Sequence, residues 1–163
     1  MSSSIPALRV LFVCTGNTCR SPLAAAALAA SLGPDRERVR VASAGTAAAE
    51  GEPANPGSVK VAGEAGIDLS GHRARRLNTA LVREADLILV MDAGHAAVVK
   101  ALGGSATQVE VLSEWPAPGE PELPVEDPFG GSEEAYEECW RRIRRHVERV
   151  VPQVRETLRA RSA

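Results

Sequence analysis

The chain has 163 residues and a formal net charge of −2, from 19 Lys and Arg against 21 Asp and Glu. That length fits one domain, residues 1–163, with a substantial core. The near-neutral balance, with Lys60 and Lys100 as the only lysines, lacks the broad basic footprint that nucleic-acid binding requires.

The predicted elements alternate along the chain. An apolar run, Val10 to Val13, leads into Cys14-Thr15-Gly16-Asn17-Thr18-Cys19-Arg20-Ser21 and then an alanine-rich helix over Pro22 to Leu32. There Ser21 is expected to cap the helix, with Pro22 at its first position. Further expected strands are Val39 to Ala42, Leu87 to Met91 and Val109 to Leu112. Helices are expected over Pro56 to Ala65, capped by Asn55, and over Ala93 to Leu102, ended by Gly103-Gly104. This alternation reads as α/β, a parallel sheet flanked by helices. Between Ser113 and Gly131 five prolines and several acids exclude a regular element, leaving an ordered loop or a mobile lid. Ser132 then caps a long helix with Glu133 and Glu134 in its first turn. Its apolar stripe, Tyr136, Cys139, Ile143, Val147, Val150, Val154 and Leu158, is expected to face the sheet, and Pro152 to kink or break it about one turn earlier.

No apolar run reaches membrane-spanning length, and the polar start, Met1 to Pro6, lacks the regions of a signal peptide. The three cysteines are an odd number, two of them in one tight loop, so a disulfide framework is not expected. A cytoplasmic monomer without membrane or nucleic-acid partners is the expectation.

The loop after the first strand carries the chemistry. A strand, a tight turn and a helix start together point backbone N–H groups and the positive helix end into one concave spot, a phosphate cradle. Cys14 at its base is a candidate nucleophile and Arg20 a candidate phosphate ligand. Thiolates are favoured at helix N-termini and beside cations, so the loop would activate Cys14 and bind its target together. Expelling a leaving group needs an acid, and hydrolysing a covalent intermediate needs a base. Asp127, in Glu126-Asp127-Pro128-Phe129-Gly130-Gly131, is the candidate for both, with an ordinary acidic turn residue as the alternative. Cys19 is either a small core residue or a redox partner for Cys14. Cys139 reads as packing. His72, His95 and His146 lack metal-ligand spacing and are given structural or surface roles. Asp92 is expected to cap its helix or contact the phosphate loop, and His72, Arg73 and Arg75 to organise a loop.

Cys14 to Ser21 with Pro22, Ser43-Ala44-Gly45, Gly71-His72-Arg73-Ala74-Arg75 and Asp127-Pro128-Phe129-Gly130 together resemble the low-molecular-weight protein phosphatase family. The resemblance implies a central four-stranded parallel sheet with helices on both faces, no cofactor and no metal, phosphorylated protein substrates and a phosphocysteine intermediate. It makes Cys14 the nucleophile and Arg20 the fork holding two phosphoryl oxygens, with the amides of Thr15, Gly16, Asn17, Thr18, Cys19 and Arg20 around the rest. Ser21 would hydrogen-bond the thiolate, and Asn17 would take a left-handed backbone. Asp127 would protonate the leaving group and then activate water. Thr18 stands where tyrosine-directed members carry a bulky aliphatic residue, as it does in bacterial arginine phosphatases, and Phe129 is the one obvious ring beside Asp127. Phosphoarginine is therefore the expected substrate, with phosphotyrosine as the alternative. Leu23 and Ala25 replace a methionine and a glutamate common in relatives, and the aromatic that many carry after Ser-Ala-Gly is absent. A thiol-dependent arsenate reductase shares a similar loop but needs two further downstream cysteines, and only Cys139 is present.

Overall fold

The computed structural model describes residues 7–116 and 124–162. The expectations for Met1 to Pro6 and for part of the proline-rich loop fall outside these residues. The order is β1 (Leu8–Cys14), α1 (Arg20–Leu32), a 3-10 turn (Gly33–Arg38), β2 (Val39–Gly45), α2 (Pro56–Glu64), α3 (Thr79–Glu84), β3 (Leu87–Val90), α4 (Ala93–Ala101), β4 (Val109–Val111), a second 3-10 turn (Leu112–Glu114) and α5 (Glu133–Ser162). All four strands are parallel, in the order β2-β1-β3-β4.

β1 is apolar on both faces, and this is what makes it central. Leu8, Val10, Phe12 and Cys14 face one core with α1, α2 and α5, while Leu11 and Val13 face a second core with Val82, Ile88, Val90, Val99 and Val109. The register pairs Cys14 with Gly45 and Val13 with Val90, so the carboxyl ends of three strands form one ledge. The chain passes from β2 on one side of β1 to β3 on the other, and ligands of open α/β sheets sit at such a reversal. The loop carrying Cys14 opens there.

Two local expectations need correction. α1 begins at Arg20, so Ser21 lies inside the first turn rather than capping it, and Pro22 occupies the third helical position. The first-turn amides have no intrahelical partner in any case, which is why a proline fits there. α5 is continuous through Pro152, so of the kink or break expected there the break does not occur. Pro152 is exposed while Val150, Val151, Val154 and Leu158 stay buried, so packing on both sides of the lost hydrogen bond carries the helix on. The α5 stripe is buried as expected, but it packs chiefly along α1 and α2 in the core they share with β1. Trp140, His146 and Val151 widen it. α3 was not anticipated; Asn78 caps it through Oδ1, which accepts from Leu81 N at 2.9 Å. Among the described residues no helix is long and apolar enough to cross a membrane.

Candidate active site

Asn55, Asn78, Asp92 and Ser132 each accept a backbone N–H at the start of α2, α3, α4 and α5. The start of α1 has no side-chain cap. Its unpaired amides and the positive helix end face the turn after β1, the arrangement that binds anions.

Cys14 is 2% exposed at the end of β1. Its Sγ accepts from Asn17 N at 3.3 Å and lies 3.0 Å from Ser21 Oγ. Asn17 Nδ2 donates to Ser21 Oγ at 2.7 Å, and the Ser21 hydroxyl lies between the sulfur and the Ala44 carbonyl, to which it donates at 3.4 Å.

Asn17 has φ 57°, as the sequence suggested, and is fully buried. Every polar atom of its side chain is used: Nδ2 also donates to Ser43 Oγ at 2.9 Å, and Oδ1 accepts from Arg75 N at 2.9 Å. His72 Nε2 donates to the Asn17 carbonyl at 2.7 Å, which fixes its tautomer. Burial holds the His72 pKa below the ordinary histidine value. Arg75 Nε donates to Ser43 O at 3.1 Å. The segment expected to organise a loop therefore organises the one under Cys14. Gly45 is required beside it, because a Cβ there would lie 2.5 Å from the Thr15 carbonyl oxygen.

Arg20 is 5% exposed, and its guanidinium is held from three directions. Nη1 donates to Val125 O at 3.2 Å, and Nη2 lies 3.5 Å from Thr15 Oγ1 and 3.8 Å from Asp127 Oδ2. Asp127 Oδ1 accepts from Phe129 N at 3.1 Å, and this turn aims the carboxylate back at the phosphate loop. Together Cys14, Thr15, Gly16, Thr18, Cys19, Arg20, Asp127 and Phe129 line a cavity of about 200 Å³. Asn17 and Ser21 lie beneath it.

His95 also belongs to this site, beyond the structural or surface role its spacing suggested. From α4 its Nε2 reaches Thr15 Oγ1 at 2.9 Å, and Nδ1 lies 3.4 Å from Asp92 Oδ1. Asp92 thus caps α4 and, through His95, supports the loop. Desolvation lowers the His95 pKa, so the ring stays neutral at pH 7 and Nε2 can accept the Thr15 proton. Cys19 is 4% exposed, with Sγ 3.8 Å from Tyr136 Oη and from Thr18 Oγ1, and burial raises its pKa. Cys139 is pushed up to about 12 by burial, consistent with packing.

A buried sulfur, a fixed guanidinium and a carboxylate around an anion-sized cavity at a helix start define a cysteine-dependent phosphatase site. The comparisons with known proteins agree. The chain belongs to the low molecular weight phosphotyrosine protein phosphatase family, whose model matches residues 9–160, and it is a hydrolase acting on phosphorylated proteins. It is 41% identical to the probable low molecular weight protein-tyrosine-phosphatase EpsP of Ralstonia nicotianae, over 90% of this chain and 95% of that protein. It is 36% identical to a protein-arginine-phosphatase of Geobacillus stearothermophilus, over 92% of this chain and 95% of that protein. The crystal structure of the Erwinia amylovora tyrosine phosphatase AmsI superposes with a TM-score of 0.79 at 30% identity, covering 94% and 96% of the two chains.

Proposed function

We propose that the protein hydrolyses phosphoarginine on proteins. The observation that carries this reading is the cavity wall: Thr18 and Asp127 line it, and Phe129, 70% exposed, is the only aromatic among the described residues that line it. A hydroxyl and a carboxylate suit a guanidinium leaving group, whereas a phenol ring calls for apolar walls. The Geobacillus relative supports the reading, and the tyrosine-phosphatase names among the relatives make phosphotyrosine the second one.

In this mechanism the Cys14 thiolate attacks phosphorus, forming the S–P bond as the P–N bond breaks. Arg20 and the loop amides hold the equatorial oxygens where charge develops. Asp127 gives its proton to the departing nitrogen. It then takes one from water, whose oxygen displaces the thiolate and leaves inorganic phosphate. Ser21 steadies the thiolate on departure.

Turnover of phosphoarginine and phosphotyrosine peptides by one preparation tests the choice. The unmodified protein is expected to favour phosphoarginine. Thr18→Ile is expected to move the ratio of the two kcat/KM values toward phosphotyrosine by on the order of tenfold, a shift typical of a few methyl groups in a pocket wall. Higher phosphotyrosine activity in the unmodified protein would overturn the assignment.

The redox reading of Cys19 is also proposed, since both sulfurs border the same cavity. Peroxide would oxidise the Cys14 thiolate to a sulfenic acid, and the Cys19 thiol would then form the disulfide with loss of water. Mass spectrometry after mild peroxide should find Cys14 linked to Cys19. Overoxidised Cys14 with an untouched Cys19 would refute it. The three cysteines are free, which suits the reducing cytoplasm we propose as its location.

A further inference from the structure

A second, larger groove of about 510 Å³ runs between α2 and the start of α5, sharing Phe129 with the catalytic cavity as a common wall. Its apolar surface includes Pro56, Val61 and Tyr136, whose ring lies so close to Gly57 that a Cβ there would sit 2.6 Å from it. Lys60 Nζ crosses from α2 to Glu133 Oε1 at 2.7 Å. One helical turn further on, Glu64 on α2 and Glu137 on α5 border the same groove, and among the described residues neither carboxylate has a hydrogen bond or ion pair. The Glu133 hydrogen bond chiefly, with the fields of Glu64 and Glu137 added, keeps Lys60 protonated. Three carboxylates against one ammonium leave an excess of negative charge beside a cavity built for an anion.

We propose that this groove holds the polypeptide flanking the phosphorylated residue, and that Glu64 and Glu137 select a lysine or arginine side chain in it. The two sites share a wall, so a substrate chain leaving the cavity past Phe129 enters the groove directly. One turn of α5 is about 5.4 Å, or close to two residues of extended peptide. A chain passing the Lys60–Glu133 pair therefore reaches the free carboxylates roughly two to five residues from the phosphorylated one. The phosphate itself is taken by the loop, so the acidic groove adds selectivity without opposing its binding. The inference rests on protein phosphatase activity and holds for either phosphoryl acceptor, so it fails separately from the phosphoarginine reading.

The test is a set of phosphopeptides, on whichever acceptor is turned over, with lysine, alanine or glutamate at successive flanking positions, and p-nitrophenyl phosphate as a substrate that leaves the groove empty. The expected result is a kcat/KM about three- to tenfold higher for lysine than for alanine at one or two positions, carried by KM and weakened by salt, as befits exposed ion pairs. Glu64→Gln with Glu137→Gln should abolish the preference, and Glu64→Lys with Glu137→Lys should reverse it. Turnover of p-nitrophenyl phosphate should not change in either. Equal rates for lysine and alanine peptides would overturn the proposal, as would a preference that survives both double variants. It would also fall if the charge reversals altered only self-association in sedimentation, since the groove would then belong to a second copy of the chain.

Discussion

Cys14→Ser is expected to keep the fold and the affinity for inorganic phosphate while losing turnover by roughly four orders of magnitude or more, the scale seen when a catalytic nucleophile is removed. The residue is buried at the end of β1, and serine is close to it in volume, so the core around it is undisturbed. The Asn17 N donor and the Ser21 hydroxyl find an oxygen where the sulfur was. Arg20 and the α1 amides are unchanged, so the anion site persists. What disappears is the sulfur nucleophile: a serine hydroxyl attacks phosphorus poorly and departs from it poorly, so both chemical steps suffer. Phosphate release measures the rate, calorimetry with inorganic phosphate measures the site, and thermal unfolding reports the fold. Turnover within tenfold of the unmodified protein would show that another group makes the covalent intermediate.

Asp127→Asn is expected to slow turnover by about 10²- to 10⁴-fold, the usual contribution of general acid–base catalysis, with KM little changed. The amide can still accept from Phe129 N, so the turn that aims the side chain survives. It cannot donate a proton as an acid does or take one from water. The loss should be smaller for substrates whose leaving group departs unprotonated, such as p-nitrophenolate, because only the first step is relieved. A structural role for Asp127 would give an equal loss on every substrate. Unchanged turnover would remove it from the mechanism.

Much of this site was legible because its chemistry is local. Cys14, Arg20 and Ser21 lie within one turn, and the apolar run before them marks the strand that sets its depth. Asp127 was legible because Asp-Pro-Phe-Gly-Gly has one obvious way to turn. His95 was not, since nothing near Asp92 in sequence says that α4 starts against Thr15; that contact exists only because β3 pairs beside β1. Pro22 inside the first turn and an unbroken helix at Pro152 share one reason. Local rules place proline at helix boundaries, yet the first was admitted where amides are unpaired anyway and the second where buried valines on both sides outweigh one missing bond. α3 is six residues long, too short for periodicity to announce it.

The saturated hydrogen bonding of Asn17 means that the phosphate loop does not hold its own shape. Its curvature is dictated by Ser43, His72 and Arg75, which stand 26, 55 and 58 residues away along the chain. The eight residues from Cys14 to Ser21 are thus not a transferable module. Grafted after a strand in another protein without those three partners, they would carry the spelling of the motif and none of its grip on phosphate.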